Sequence, residues 1–203
     1  MSDVRRSGKR LIVGISFIII VVTTGCAYYS LVATNREIHI GSTFKVTSQI
    51  KWNKTEINGL ETWTIDGPQL QSLMFIRGLE HGKPLFKIAG QKEEEMPLYK
   101  SSMTPLEIVE FIEASFARIG ALSIETGGIR PERFGSLDGF RFEIHYVHES
   151  GLKYDGFVVG APKDEKLLGM IYIGTALYHY EKHLNDAQNV VDSVEVIWPE
   201  RKA

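Results

Sequence analysis

Apolar and polar positions alternate through much of this chain. Phe140, Phe142, Ile144 and Tyr146 alternate with Arg141, Glu143, His145 and Val147, the period of two expected of a half-buried strand. Ile38 and Ile40, then Phe44, Val46 and Ser48, repeat the pattern around Gly41-Ser42 and predict a hairpin. Residues 51–55, around Trp52, and 61–65, bounded by Asn58-Gly59 and Asp66-Gly67-Pro68, read as strands, as do 70–76 and 85–88. Later strands are expected at 121–125, 153–159 and 167–175. Turns at Leu137-Asp138-Gly139, Glu149-Ser150-Gly151 and Pro162-Lys163-Asp164 would make them an antiparallel meander.

Two segments change to helical spacing. Thr104-Pro105-Leu106-Glu107 offers a capping hydroxyl, a proline suited to the first turn and a glutamate able to reach back to the cap amide. Ile108, Ile112, Phe116 and Ile119, with Val109 and Phe111, then form an apolar stripe that Gly120 ends. A last helix over 178–192 places Leu184, Ala187 and Val191 on one face, and 193–198 reads as a closing edge strand. Strands, helix, strands, helix predicts an α+β fold, an antiparallel β-sheet with helices packed on it.

The first 26 residues follow another logic. Arg5, Arg6, Lys9 and Arg10 precede an apolar run from Leu11 to Val22, an N-terminal apolar signal helix of the kind that directs export. Val22-Thr23-Thr24-Gly25-Cys26 resembles the bacterial lipobox, with Thr23 where leucine is commoner. The resemblance implies cleavage after Gly25 and acylation of Cys26, the only cysteine in the chain. Two or three acyl chains, at about 0.8 kcal/mol per buried methylene, would anchor the protein to a membrane. An uncleaved signal anchor is the alternative, since 11–33 is long enough to span a bilayer that needs roughly 20 residues; a plain secretory signal is another. The leading readings put the body in the bacterial cell envelope, facing the periplasm or the cell exterior. Ala27, in place of the aspartate that retains enteric lipoproteins at the inner membrane, favours the outer membrane.

The organisation expected is a signal peptide (1–26), a spacer (27–37), one α+β domain (38–198) and a short tail (199–203). Beyond Cys26 the chain carries 19 basic and 24 acidic residues, a net charge near −5, which argues against nucleic acid as a partner. With no cysteine after Cys26, thiol redox chemistry and thiolate metal sites are excluded from the body.

Phe44-Lys45-Val46 followed by Trp52, Met96-Pro97-Leu98 leading to Met103-Thr104-Pro105-Leu106-Glu107-Ile108, Gly139-Phe140-Arg141-Phe142-Glu143 and Val191-Asp192-Ser193-Val194 are packing and turn features. In these the chain resembles the PsbP-like, Mog1-like and DcrB-like superfamily over roughly 38–198. The resemblance implies a small α/β sandwich and an accessory, assembly or binding role, with no shared catalytic residues to carry over.

Candidate chemistry is sparse. His179 and His183, four apart on the last helix and near Glu181 and Asp186, suggest a metal site and a metal-dependent hydrolase, although Tyr180 stands where zincins have glutamate. His145 and His148 form a second pair, weighed as a surface pair against a catalytic one. Glu93-Glu94-Glu95 reads as a solvated loop rather than a cation site, and Gly127-Gly128 as a turn. No Gly-x-Ser-x-Gly elbow, Ser-x-x-Lys motif or phosphate loop is present. The reading therefore names no catalytic residue, metal ligand or cofactor. Aromatic residues including Trp52, Trp63, Phe75, Phe86, Phe157 and Tyr172 read as core, with a ligand groove between sheet and helix as the alternative and both tryptophans half-buried. The function expected is that of a membrane-anchored accessory or binding protein of envelope assembly, maintenance or stress response, with envelope proteins as partners; a small-ligand or lipid carrier is the second reading.

Overall fold

The computed structural model of the protein describes residues 29–197. The apolar signal segment, Gly25, Cys26, Trp198 and the tail lie outside the described residues. In chain order the strands are β1 (Ser30–Leu31), β2 (Glu37–Ile40), β3 (Phe44–Thr47), β4 (Asn53–Ile57), β5 (Leu60–Thr64) and β6 (Gln71–Leu79). Helix α1 (Pro105–Ala117) is followed by β7 (Ala121–Thr126), β8 (Arg130–Phe134), β9 (Leu137–His148), β10 (Lys153–Lys163) and β11 (Lys166–Thr175), then α2 (His179–Asp192) and β12 (Glu195–Val196). The fold is α+β and mostly antiparallel sheet. Among the described residues no helix is long and apolar enough to cross a membrane.

The main sheet runs β1-β4-β5-β6-β11-β10-β9-β7, with β8 paired to the first half of β9 and β7 to the second. Hairpin turns set the register. Asn58 and Gly59 both take positive φ between the paired Ile57 and Leu60, and Asp164 and Glu165 do the same between Lys163 and Lys166. These are two-residue loops of the type whose twist matches the strands.

Both faces of this sheet are covered. Toward α1, Phe140, Phe142, Ile144, Val158 and Ile171 meet Ile108, Ile112 and Phe116 of the helix. On the opposite face, Trp63, Leu73, Phe75, Phe157 and Tyr172 meet Ala187, Val190 and Val191 of α2. A second, three-stranded sheet ordered β12-β3-β2 shares that face and adds Ile40, Phe44 and Val46. Double coverage explains why β11 is buried from Leu167 to Thr175 instead of alternating with solvent. Each such side chain contributes roughly 1.5–3 kcal/mol by leaving water.

Helix α1 begins where the capping pattern places it. Thr104 Oγ1 accepts from the Glu107 amide, and the Glu107 carboxylate accepts from the Thr104 amide at 2.7 Å.

Several local expectations are corrected. Residues 85–88 form no strand; Leu85 and Phe86 pack under α1 from a loop held by a bridge between Pro84 and Leu98 and by the Lys87 amide, which donates to the Asn58 carbonyl at 2.7 Å. Leu137-Asp138-Gly139 is the start of β9 rather than a turn. A methyl group at Gly139 would collide with the Gly160 carbonyl oxygen of β10, so glycine serves close strand approach there. Pro162 and Lys163 likewise belong to β10. Within the expected spacer, Ser30 and Leu31 pair with Lys54 and Asn53, and Val32 is buried. Strand β8 and the second sheet went unread. Trp52 and Trp63 are fully buried rather than half-buried, because each indole N–H finds an acceptor, Ser48 Oγ and Glu61 Oε1 respectively, both at 2.9 Å.

Candidate functional site

The α1 side of the main sheet is incompletely filled. The helix ends at Ala117, and Gly120, with φ +92°, turns the chain down into β7. Beyond that end lies a cavity of about 420 Å³, open on one side, within the ~300–1,000 Å³ range of small-molecule pockets. Its floor is the sheet: Thr62, Ser72, Met74, Ile173, Tyr154 and Tyr146. Phe86, Phe116 and Ile119 cover it, while Ile57 and Asn58 of the β4–β5 tip and Ser150 and Leu152 of the β9–β10 turn form its rim. Among the described residues that line it there is no Asp, Glu, Lys or Arg.

Most of its polar atoms are already engaged. Ser72 Oγ donates to the Pro68 carbonyl at 2.8 Å, Thr62 Oγ1 to the Leu60 carbonyl at 3.1 Å, and Tyr154 Oη to the Gln69 carbonyl at 2.6 Å. His148 Nδ1 accepts from the Ser150 amide at 3.2 Å, which leaves the proton of a neutral ring on Nε2. Among the described residues the Asn58 and Gln69 side chains make no such bond, and neither does Tyr146. It stacks on Tyr154 with ring centroids 5.0 Å apart, is partly buried, and its hydroxyl makes no hydrogen bond among the described residues. Burial, and secondarily the neighbouring Tyr154, pushes the Tyr146 phenol up; burial alone raises that of Tyr154.

The histidine pairs resolve differently. Residues 145 and 148 are an odd number apart on one strand and so face opposite sides of the sheet. His148 edges the cavity, while His145 Nδ1 sits 2.7 Å from Asp155 Oδ1 on the other face. His179 and His183 do approach one carboxylate oxygen, Asp66 Oδ2, at 3.9 and 2.8 Å. That oxygen also accepts from Lys182 Nζ at 2.7 Å, and His183 Nδ1 lies 3.3 Å from Asp186. The Lys182 hydrogen bond chiefly, opposed by burial and aided by His183, holds the Asp66 carboxyl low. The ammonium stands where a metal would have to compete, so this cluster works as a clamp between the start of α2 and the β5–β6 turn. Among the described residues no group of three or more His, Cys, Asp or Glu is placed to hold a metal ion. Glu93 of the acidic run pairs with Lys83 at 2.9 Å, which holds its carboxyl low.

Sequence reasoning named Phe86 among possible groove residues but missed Tyr146, Tyr154 and Leu152. Their signal was symmetry about Ser150, which pairs 146 with 154 across the hairpin. Compared with known proteins, the chain matches no family model and no curated protein.

Proposed function

We propose that the chain is an envelope lipoprotein, tethered through an acylated Cys26, that acts by binding the uncharged apolar part of a small molecule or lipid in the cavity beyond the end of α1. The observation that carries this reading is the cavity, a mainly apolar space lined by no Asp, Glu, Lys or Arg among the described residues and holding one uncommitted hydroxyl. Among the functions weighed, the carrier thus stands ahead of an accessory role exerted by surface contacts alone, and the Lys182–Asp66 clamp weakens the hydrolase. The superfamily resemblance, a small α/β sandwich with binding and accessory roles, agrees with it. Tethering confines the domain near its membrane and raises its effective concentration there without requiring high affinity.

Native mass spectrometry of the full chain released from detergent tests the reading. A non-covalent adduct is expected on the native protein and is lost in Leu152→Trp, where the larger ring blocks the rim. Absence of an adduct, or an equal one in both proteins, overturns the binding half. Intact mass tests the other half: cleavage after Gly25 with a diacylglyceryl group on Cys26 is expected, and a bare thiol with the leader attached overturns it.

A further inference from the structure

Resting on that reading, we infer that the cavity takes one aliphatic chain of an ester-linked lipid drawn from the bilayer that holds the protein, with the Tyr146 hydroxyl donating to the ester carbonyl. Position is the first argument. Ser30 pairs with Lys54 and Leu31 with Asn53, so β1 runs antiparallel to β4 and its N-terminal end lies toward Ile57 and Asn58, the rim of the cavity. Cys26 precedes Ser30 by four residues. Four residues span at most about 14 Å of chain. On that reading an acyl anchor joins the described fold at the sheet edge that bears the rim of the cavity.

Chemistry is the second argument. A lining without Asp, Glu, Lys or Arg offers a headgroup charge only the His148 ring at the cavity's edge, so a phosphate or ammonium stays at the opening and the chain enters. The 420 Å³ of space equals about fourteen water-sized volumes of ~30 Å³, room for a single chain rather than a pair. Leu152, 45% exposed on the rim, gives that chain an apolar lip to cross. Inside, the Tyr146 hydroxyl has no protein partner among the described residues and is free to exchange water for an acceptor, which an ester carbonyl supplies without charge. The protein's own anchor is the wrong source, because a chain withdrawn from the bilayer no longer tethers anything.

The test reconstitutes full-length acylated protein into phosphatidylcholine vesicles containing a diester phosphatidylcholine with a diazirine in mid-chain. On illumination, the tryptic peptide 142–153, which carries Tyr146, His148 and Leu152, is expected to take label, and Leu152→Trp to cut it at least fivefold. Tyr146→Phe reduces labelling by the diester probe and leaves unchanged the labelling by its diether analogue, which has no carbonyl. An unlabelled 142–153 peptide, or equal label in Leu152→Trp, overturns the proposal. Equal response of both probes to Tyr146→Phe removes the role of that hydroxyl. Label that appears only in Cys26→Ser shows the anchor's own chain filling the space and overturns the source. If 142–153 stays unlabelled while the native-mass adduct persists and is lost in Leu152→Trp, the bilayer source fails and ligand binding stands.

Discussion

Tyr146 and Tyr154 face one another across β9 and β10, stacked with their rings 11° from parallel, yet the same substitution has different expected outcomes at the two positions. Replacing either by phenylalanine removes one oxygen and leaves the stack intact. Tyr154→Phe loses the 2.6 Å hydrogen bond to the Gln69 carbonyl, worth about 1 kcal/mol net. Gln69 is exposed, so water reaches its freed carbonyl and the loss stays near that figure. Tyr146→Phe gives up no hydrogen bond in the empty protein and removes a hydroxyl that burial has partly stripped of water, so its change falls within about 0.5 kcal/mol of zero or is stabilising. Differential scanning calorimetry of delipidated full-length protein in one detergent reads the contrast. A drop of roughly 2–4 °C is expected for Tyr154→Phe and about none for Tyr146→Phe. Alkaline pH supplies a second readout with a fixed sign. The unfolded phenol loses its proton near pH 10, whereas burial raises the folded value; the folded state then binds more protons, and stability falls as pH rises above about 10. Phenylalanine has no such proton, so the alkaline limb of Tyr146→Phe is shallower, by up to about 1.4 kcal/mol per pH unit. Equal destabilisation by the two substitutions would refute the reasoning, since it would mean that the Tyr146 hydroxyl is bonded before any ligand arrives.

Two further outcomes follow from the same geometry. Thr104→Ala removes the reciprocal cap of α1 and is expected to cost about 1 kcal/mol, or roughly 2–4 °C in the melting temperature; a change indistinguishable from zero by calorimetry removes the cap as the reason the helix starts there. In the α2 clamp, Asp66 is held low by Lys182 first, so its contribution is full above the unfolded value near pH 4 and is lost as pH falls through the lower folded value. Because the Lys182 side chain is 35% exposed, Asp66→Asn costs at most about 1 kcal/mol at neutral pH. Its acid-unfolding curve should be flatter below about pH 4, and parallel curves for the two proteins would sink the assignment.

What the chain disclosed about itself depended on how local the cause was. The start of α1 is written in four consecutive residues because a cap is satisfied within one turn, and Asn58-Gly59 announced its hairpin because few residues tolerate positive φ twice running. Gly139 misled for the opposite reason: its turn-like composition answers to Gly160, which is distant in sequence and adjacent in space. The hairpin of β2 and β3 was visible in its alternation, but nothing within it says that it lies across the face of another sheet. The histidine pairs show the same limit. Strand period alone separates His145 from His148, whereas the union of His183 with Asp66 spans 117 residues and required the fold. Tyr146 and Tyr154 could be paired by counting outward from Ser150; that α1 stops short of covering them is a tertiary fact with no local signature.

Trp52 and Trp63 lie 6.3 Å apart in the layer away from α1, fully enclosed, while Tyr146 and Tyr154 belong to the layer beneath it. Among the described residues these are the only indoles. In Trp198→Phe the indole fluorescence therefore watches one side of the sheet, whereas phenol absorbance carries both, since Tyr172 lies beside the tryptophans and Tyr146 and Tyr154 lie across the sheet. Warming the protein while following both signals asks whether its two halves melt as one body, and it does so with chromophores already in place.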